Sequence, residues 1–323
     1  MFRNVLVPVD RSPFAETAIP QAAAIARRCG GKLHIVMVHA ITVPDAMRGA
    51  PLPLDASLDL EIRNDEQKYL ESLASRCATD HAIRPQTILL DGAVASTIDA
   101  HCHAIDADLV VISTHGRTGI ERAWLGSVAD RLIRRLSIPV LLIRPRDGVA
   151  VPFEPTIEHI LVGLDGSMLA EGALRAASAI AGPKTRCTAL RVAVPPRNPG
   201  SPYIPDAARA NREALETSVR AARAYLDALS HRVRGNWQSF DVAVLTAWRP
   251  AEAILEAAKG LDADTIAVAT QGHGPIVRAM IGSVADEVIR GSSVPVLVVP
   301  AHCVEAKLTM GHEDSLELAV LTP

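Results

Sequence analysis

Apolar residues in the first half of the chain gather in short Val/Ile/Leu runs, four to six residues long, separated by alanine-rich segments with helical spacing of their apolar positions. Runs of that length, apolar on both faces, read as buried strands, and the segments between them read as amphipathic helices. The pattern predicts strands at about 4–9, 33–39, 86–91, 108–113 and 139–143, and helices near 13–29, 57–80, 94–105 and 127–136. Strands buried on both faces and alternating with helices imply a parallel sheet covered on both sides. Five of them make an α/β doubly wound sheet, which binds ligands at the carboxyl ends of its strands.

The pattern is then written a second time. Asp106–Gly116 (DADLVVISTHG) returns as Asp262–Gly272 (DADTIAVATQG), Gly126–Asp130 (GSVAD) as Gly282–Asp286, and Ser137–Leu141 (SIPVL) as Ser293–Leu297 (SVPVL). All three share an offset of 156 residues, and the openings Val5–Ser12 (VLVPVDRS) and Ile160–Ser167 (ILVGLDGS) match at 155. The chain therefore reads as a tandem duplication. The expected organisation is a first domain over 1–146, a linker over 147–156, a second domain over 157–300 and a tail over 301–323. The stretch from Arg144 to Thr156 holds three prolines and a glycine between apolar strands, as a linker does.

The segment after the fourth strand of each copy carries the candidate chemistry. It reads Ser113-x-x-Gly116, nine residues, Gly126-Ser127-Val128 in the first copy, and Ala269-x-x-Gly272, nine residues, Gly282-Ser283-Val284 in the second. A helix is expected to begin after each Gly-Ser pair. Its first N–H groups lack partners inside the helix, so its start attracts anions. Glycine permits close approach to a phosphate, and the serine hydroxyl offers another donor. A phosphate there would gain roughly 0.3–2 kcal/mol from the helix-end charge. The plainer reading is a turn with a serine cap; two copies at one spacing favour the anion site.

On these residues the sequence resembles the universal stress protein family, over nearly the whole chain and in two copies. The family's fingerprint is Gly-x-x-Gly, nine residues, then Gly-Ser or Gly-Thr, behind an opening strand that ends in Asp. The first copy supplies Pro8, Asp10 and Ser12 before Gly116, Gly126, Ser127 and Val128; the second supplies Asp165 and Ser167 before Gly272, Gly282, Ser283 and Val284. The resemblance implies the strand order 3-2-1-4-5 in each domain, with fifth strands that pair two domains. It also implies an adenine nucleotide, ATP or AMP with or without Mg2+. The opening Asp and the end of the second strand (Ala40, Val192) would surround adenosine, and the glycine loop would hold phosphate. This chain departs from the fingerprint where Ser113 and Ala269 replace its first glycine, and Gly163 stands where the first copy has Pro8.

Charge and composition narrow the partners. A net charge of −3 and 3% aromatic residues suit neither the basic surface nor the stacking platforms of a nucleic-acid binder. No apolar run approaches the ~20 residues that span a bilayer, and Met1–Asn4 leads straight into strand-like sequence, with no leader pattern. Five scattered cysteines without a Cys-x-x-Cys pair suit a reducing compartment, so the cytoplasm is the expected location.

Competing motifs are weaker. Gly272-His273-Gly274 has Val277 where a dinucleotide turn needs its third glycine, and no P-loop or nucleophile elbow occurs. His101-Cys102-His103 reads as a solvated helix face, because helix neighbours two apart diverge, and Arg131, Arg134 and Arg135 read likewise. The catalytic set expected is empty. In the loop, His115 pairs with Gln271 and Arg117 with His273, so the loop has no acid, base or cation shared by position. The expectation is a stress-response binding or signalling module, paired through its two repeats and forming a homodimer. The alternatives are a nucleotide-independent scaffold and a slow ATP hydrolase.

Overall fold

A computed structural model describes residues 1–39, 56–114, 125–144, 156–196, 207–233, 237–270 and 281–300. The chain forms two compact units, with the main boundary between residues 155 and 156.

Unit 1 contains β1 (Asn4–Val9), α1 (Pro13–Glu16), α2 (Ile19–Cys29), β2 (Lys32–His39), α3 (Ala56–Asp80), β3 (Gln86–Asp91), α4 (Val94–Ala104), β4 (Leu109–Ser113), α5 (Ser127–Arg135) and β5 (Val140–Ile143). Its strand order is β3-β2-β1-β4-β5. β1 runs parallel to both β2 and β4, with Val5 opposite Leu33 and Leu109. β4 is buried throughout and β1 from Val5 onward, whereas β3 at the sheet's end is partly exposed. That contrast is what helices on both faces of a parallel sheet produce.

Unit 2 repeats the plan with β6 (His159–Leu164), α6 (Met168–Ile180), β7 (Arg186–Ala193), α7 (Ala207–Val233), β8 (Ser239–Thr246), α8 (Pro250–Gly260), β9 (Thr265–Ala269), α9 (Ser283–Gly291) and β10 (Val296–Val299). Its order is β8-β7-β6-β9-β10. The doubly wound 3-2-1-4-5 architecture expected from the sequence is therefore present in both units.

The helix expected over 13–29 is in fact two. Pro20 has no N–H to donate and crowds the preceding turn, so α1 stops at Glu16 and α2 restarts at Ile19 with Pro20 in its first turn. The second copy has no proline there, and α6 runs unbroken for 13 residues.

The repeated Asp-Ala-Asp motif turns out to be scaffolding. Asp106 and Asp262 hold left-handed backbone, with φ of 49° and 51°. Two residues on, Asp108 accepts the N–H groups of Arg3 and Asn4 at 2.7 and 3.0 Å. Asp264 accepts those of Glu158 and His159 at 2.6 and 3.1 Å. Each carboxylate ties the end of a helix connection to the start of the unit's first strand.

Candidate functional site

β1 and β4 are parallel neighbours, and of the unit 1 candidates Pro8, Asp10 and Ser113 stand at or next to their carboxyl ends. Pro8 is buried in β1 opposite Val36. Asp10 follows the end of the strand, and its Oδ1 accepts the Ser12 N–H at 3.0 Å, while Ser12 Oγ accepts the Ala15 N–H at 3.1 Å to cap α1. Unit 2 repeats this chain of bonds through Asp165, Ser167 and Ala170 at 2.9 and 3.1 Å, and the Ser167 hydroxyl also donates to Asp165 at 2.6 Å. The aspartates thus shape the turn by which each first strand becomes a helix.

Ser113 ends β4, buried, and Ala269 ends β9, half-buried. Beyond the following segment the chain returns at Gly126, whose N–H donates to the Thr114 carbonyl at 2.8 Å, and at Gly282, whose N–H donates to that of Thr270. A Cβ on Gly126 would stand 3.0 Å from the Thr114 oxygen, and one on Gly282 would stand 3.1 Å from the Thr270 oxygen. Each glycine lets the helix start press close against the strand end, where a Cβ would be tight. The backbone angles agree, φ/ψ being −56°/145° at Gly126 and −61°/148° at Gly282.

Immediately after them, Ser127 and Ser283 are exposed, and Val128 and Val284 are half-buried. The first helical bond runs from the Asp130 N–H to Gly126 in α5 and from the Asp286 N–H to Gly282 in α9, both 2.9 Å. The N–H groups of Ser127, Val128 and Ala129 precede it, the geometry of an anion-attracting helix start. Val192 is half-buried on β7 opposite Leu245, and by register its unit 1 counterpart is Val38. Ala40, Gly116, Gly272, His115 and Arg117 lie outside the described residues.

Three arrangements escaped the sequence reading. The first is duplicated: Glu16 accepts from Tyr69 and Arg76 at 2.9 and 2.7 Å, and Glu171 accepts from Tyr225 and Arg232 at 3.2 and 3.0 Å. Both sets tie the first helical segment to the long helix of their unit. Burial, then the Glu carboxylate beside it, pushes each tyrosine hydroxyl well above its usual pKa. The repeat offset itself would have revealed them, since Tyr69/Tyr225 and Arg76/Arg232 also lie 156 apart.

The second is confined to unit 1. His39, at the end of β2, meets Glu66 through Nδ1 at 2.6 Å and Asp59 through Nε2 at 3.0 Å, both on α3. Arg63 joins Asp59 at 2.8 Å to Asp91 of β3 at 2.5 Å. Burial opposes charge on the ring, but the bonds to Glu66 and Asp59 outweigh it and raise the His39 pKa. The Arg63 guanidinium holds Asp59 and Asp91 below the usual carboxylate range. The third is the pair Arg11 and Arg191, at the turn after the first strand of each unit.

Other sequence candidates resolve structurally. Cys102 is in the core while His103 is exposed, so that tripeptide is split across α4 rather than lying on one solvated face. Burial raises the Cys77 thiol to about 11 and that of Cys102 to about 12. Arg134 pairs with Asp130 at 3.0 Å and Arg135 with Asp99 at 2.6 Å. Among the described residues, no cluster of three or more His, Cys, Asp or Glu has metal-binding geometry, and no helix is long and apolar enough to cross a membrane.

Two doubly wound units, each with a glycine-anchored helix start at the carboxyl edge of its sheet, define a tandem α/β protein. The family model described as the universal stress protein family matches residues 1–144 and again 156–300. A universal stress protein of Methanocaldococcus jannaschii is 30% identical over 146 residues, 45% of this chain and 83% of that protein. One from Mycobacterium tuberculosis is 32% identical over 198 residues, 60% of this chain and 62% of its own length. Among solved structures, a universal stress protein from Archaeoglobus fulgidus superposes with a TM-score of 0.64 at 18% identity, covering 92% of this chain and 96% of that one. A Pseudomonas aeruginosa protein does so with 0.60 at 18%, covering 95% and 96%. The chain belongs to the universal stress protein family, in its tandem form.

Proposed function

We propose that the protein binds adenine nucleotide, ATP or AMP, at the carboxyl edge of each unit and serves as a stress-response binding module rather than a catalyst. The observation that supports this reading is the duplicated helix start. Gly126 and Gly282 make the same bond to a threonine carbonyl, with matching backbone angles, and set an exposed serine and the N–H groups that precede the first helical bond at the head of α5 and α9. The opening aspartates, Asp10 and Asp165, stand at the neighbouring strand ends where adenosine would lie. At the two helix starts the residues matched by position are glycine and serine with their backbone N–H groups, which suit holding a phosphate more than transferring one. The same reading expects a cytoplasmic homodimer.

The test is a native mass spectrum of protein purified without added nucleotide, followed by calorimetry with AMP. One or two fixed added masses of ATP or AMP are expected. Ser127→Asp is the decisive variant, since an acidic residue in the first turn favours the helix while repelling phosphate. It is expected to abolish binding at the first site without lowering thermal stability. Unchanged affinity at both sites would remove the helix start from the pocket.

A further inference from the structure

Matched position by position, the two copies share no cation near the pocket, yet the structure delivers one to the same turn in each unit by different routes. In unit 1 the turn after β1 carries Arg11, exposed, with φ of 66°. That left-handed conformation is costly for a long side chain such as arginine and free for glycine. In unit 2 the matching residue is Gly166, with φ of 91°. A Cβ placed there would fall 2.7 Å from Nη1 and 2.9 Å from Cζ of Arg191. The guanidinium of Arg191, reaching over from β7, therefore fills the space in which the Arg11 side chain begins in unit 1.

The exchange is reciprocal. Arg191 stands opposite Leu164 in the β6–β7 register, and the same register in unit 1 sets Met37 opposite Val9. Met37 is 1% exposed and belongs to the core. Where the turn supplies the arginine, the neighbouring strand supplies methionine; where the strand supplies it, the turn is glycine.

Among the described residues, Arg11 and Arg191 meet no carboxylate within 4 Å, whereas Arg63, Arg76, Arg134, Arg135, Arg232 and Arg290 all do. Arg191 Cζ lies 5.3 Å from the Tyr225 ring centroid, a cation–π attraction that holds the guanidinium without a carboxylate. β1 neighbours β4 and β6 neighbours β9. The turn after each first strand therefore lies on the same sheet edge as the end of the strand that leads to the glycine-anchored helix.

We propose that Arg11 and Arg191 are the anion-recognising residues of the two pockets, selecting nucleotides that carry phosphate over uncharged nucleosides. This rests on the nucleotide reading above for the identity of the ligand, but not for the presence of the cation. Arginine suits the task because its planar fork matches phosphate oxygens.

The experiment titrates the full-length protein with AMP, adenosine and inorganic pyrophosphate. Wild type is compared with Arg11→Gly, Arg191→Met and the double variant, in which each substitution takes the residue found in the other repeat. Losing a charge-assisted hydrogen bond is expected to weaken AMP binding about tenfold to a hundredfold. The loss falls on one site in each single variant and on both in the double, with adenosine affinity unchanged. Arg191→Lys keeps the charge and is expected to retain part of the preference, which separates lost recognition from a damaged fold. Equal losses for AMP and adenosine, or no loss for either, would overturn the proposal while leaving nucleotide binding intact. If wild type binds neither AMP nor adenosine, the nucleotide reading fails and pyrophosphate decides. Binding that the double variant abolishes upholds the cation site; binding that survives it, or no binding at all, overturns it.

Discussion

Replacing His39 by alanine tests how much one buried charge contributes to unit 1. The imidazole side chain is 4% exposed and that of Glu66 8%. Both ring nitrogens face carboxylate oxygens, at 2.6 and 3.0 Å. Neutral imidazole has one N–H, so donating to both partners requires the protonated ring. His39→Ala leaves Glu66 buried without its cation, and breaking such a pair costs about 3–5 kcal/mol. Nothing is added for Asp59, which is 31% exposed and keeps Arg63. Unit 2 supplies the control: register sets Ala193 in the place of His39, and the repeat offset sets Ala222 in that of Glu66, both buried. His39→Ala combined with Glu66→Ala should therefore recover a substantial part of the single variant's loss. The pH dependence follows from the raised pKa of His39 in the folded state. Its contribution is complete below the ordinary histidine value of about 6.5 and is lost as pH rises through the higher folded value. Urea unfolding followed by circular dichroism at pH 6 and at pH 9 reads both effects, with the transition of unit 2 as internal standard. The wild-type transition of unit 1 should weaken toward pH 9 more than that of His39→Ala. Equal midpoints for wild type and His39→Ala, or a double variant as unstable as the two single losses added together, would refute the reasoning.

Three further outcomes are expected. Gly126→Ala presses a Cβ to 3.0 Å from the Thr114 carbonyl oxygen and should cost about 1–3 kcal/mol of unit 1 stability, read as a lowered urea midpoint; an unchanged midpoint would mean that the helix start yields freely. Asp108→Ala strips the N–H groups of Arg3 and Asn4 of their acceptor and should cost about 1–3 kcal/mol, with hydrogen exchange accelerated at the start of β1; protection equal to wild type would contradict it. ATP incubated with the protein and magnesium should turn over far below ~1 s⁻¹, the lower end of typical enzyme rates; phosphate release in that range, abolished by His115→Ala, would make the first unit an active site.

The fold was legible because its determinants are local and periodic. Buried parallel strands must be apolar on both faces, so runs such as Val5–Val9 and Leu109–Ile112 announce themselves. Duplication then doubled every signal at a nearly constant offset. Helix breaks were less visible: Pro20 interrupts a segment whose apolar spacing continues through it.

What the sequence by itself determined is the architecture, the tandem plan and the glycine-serine turns, because each depends on neighbours along the chain or on a motif copied whole. What only the tertiary structure decided is which distant side chains share a place. His39 and Glu66 lie 27 residues apart and become a pair only when β2 and α3 pack. Arg11 and Arg191 occupy positions that do not align, yet both bring a guanidinium to the turn after the first strand of their unit. An alignment compares positions along the chain, whereas a ligand meets charges in space, and folding supplies the map from one to the other.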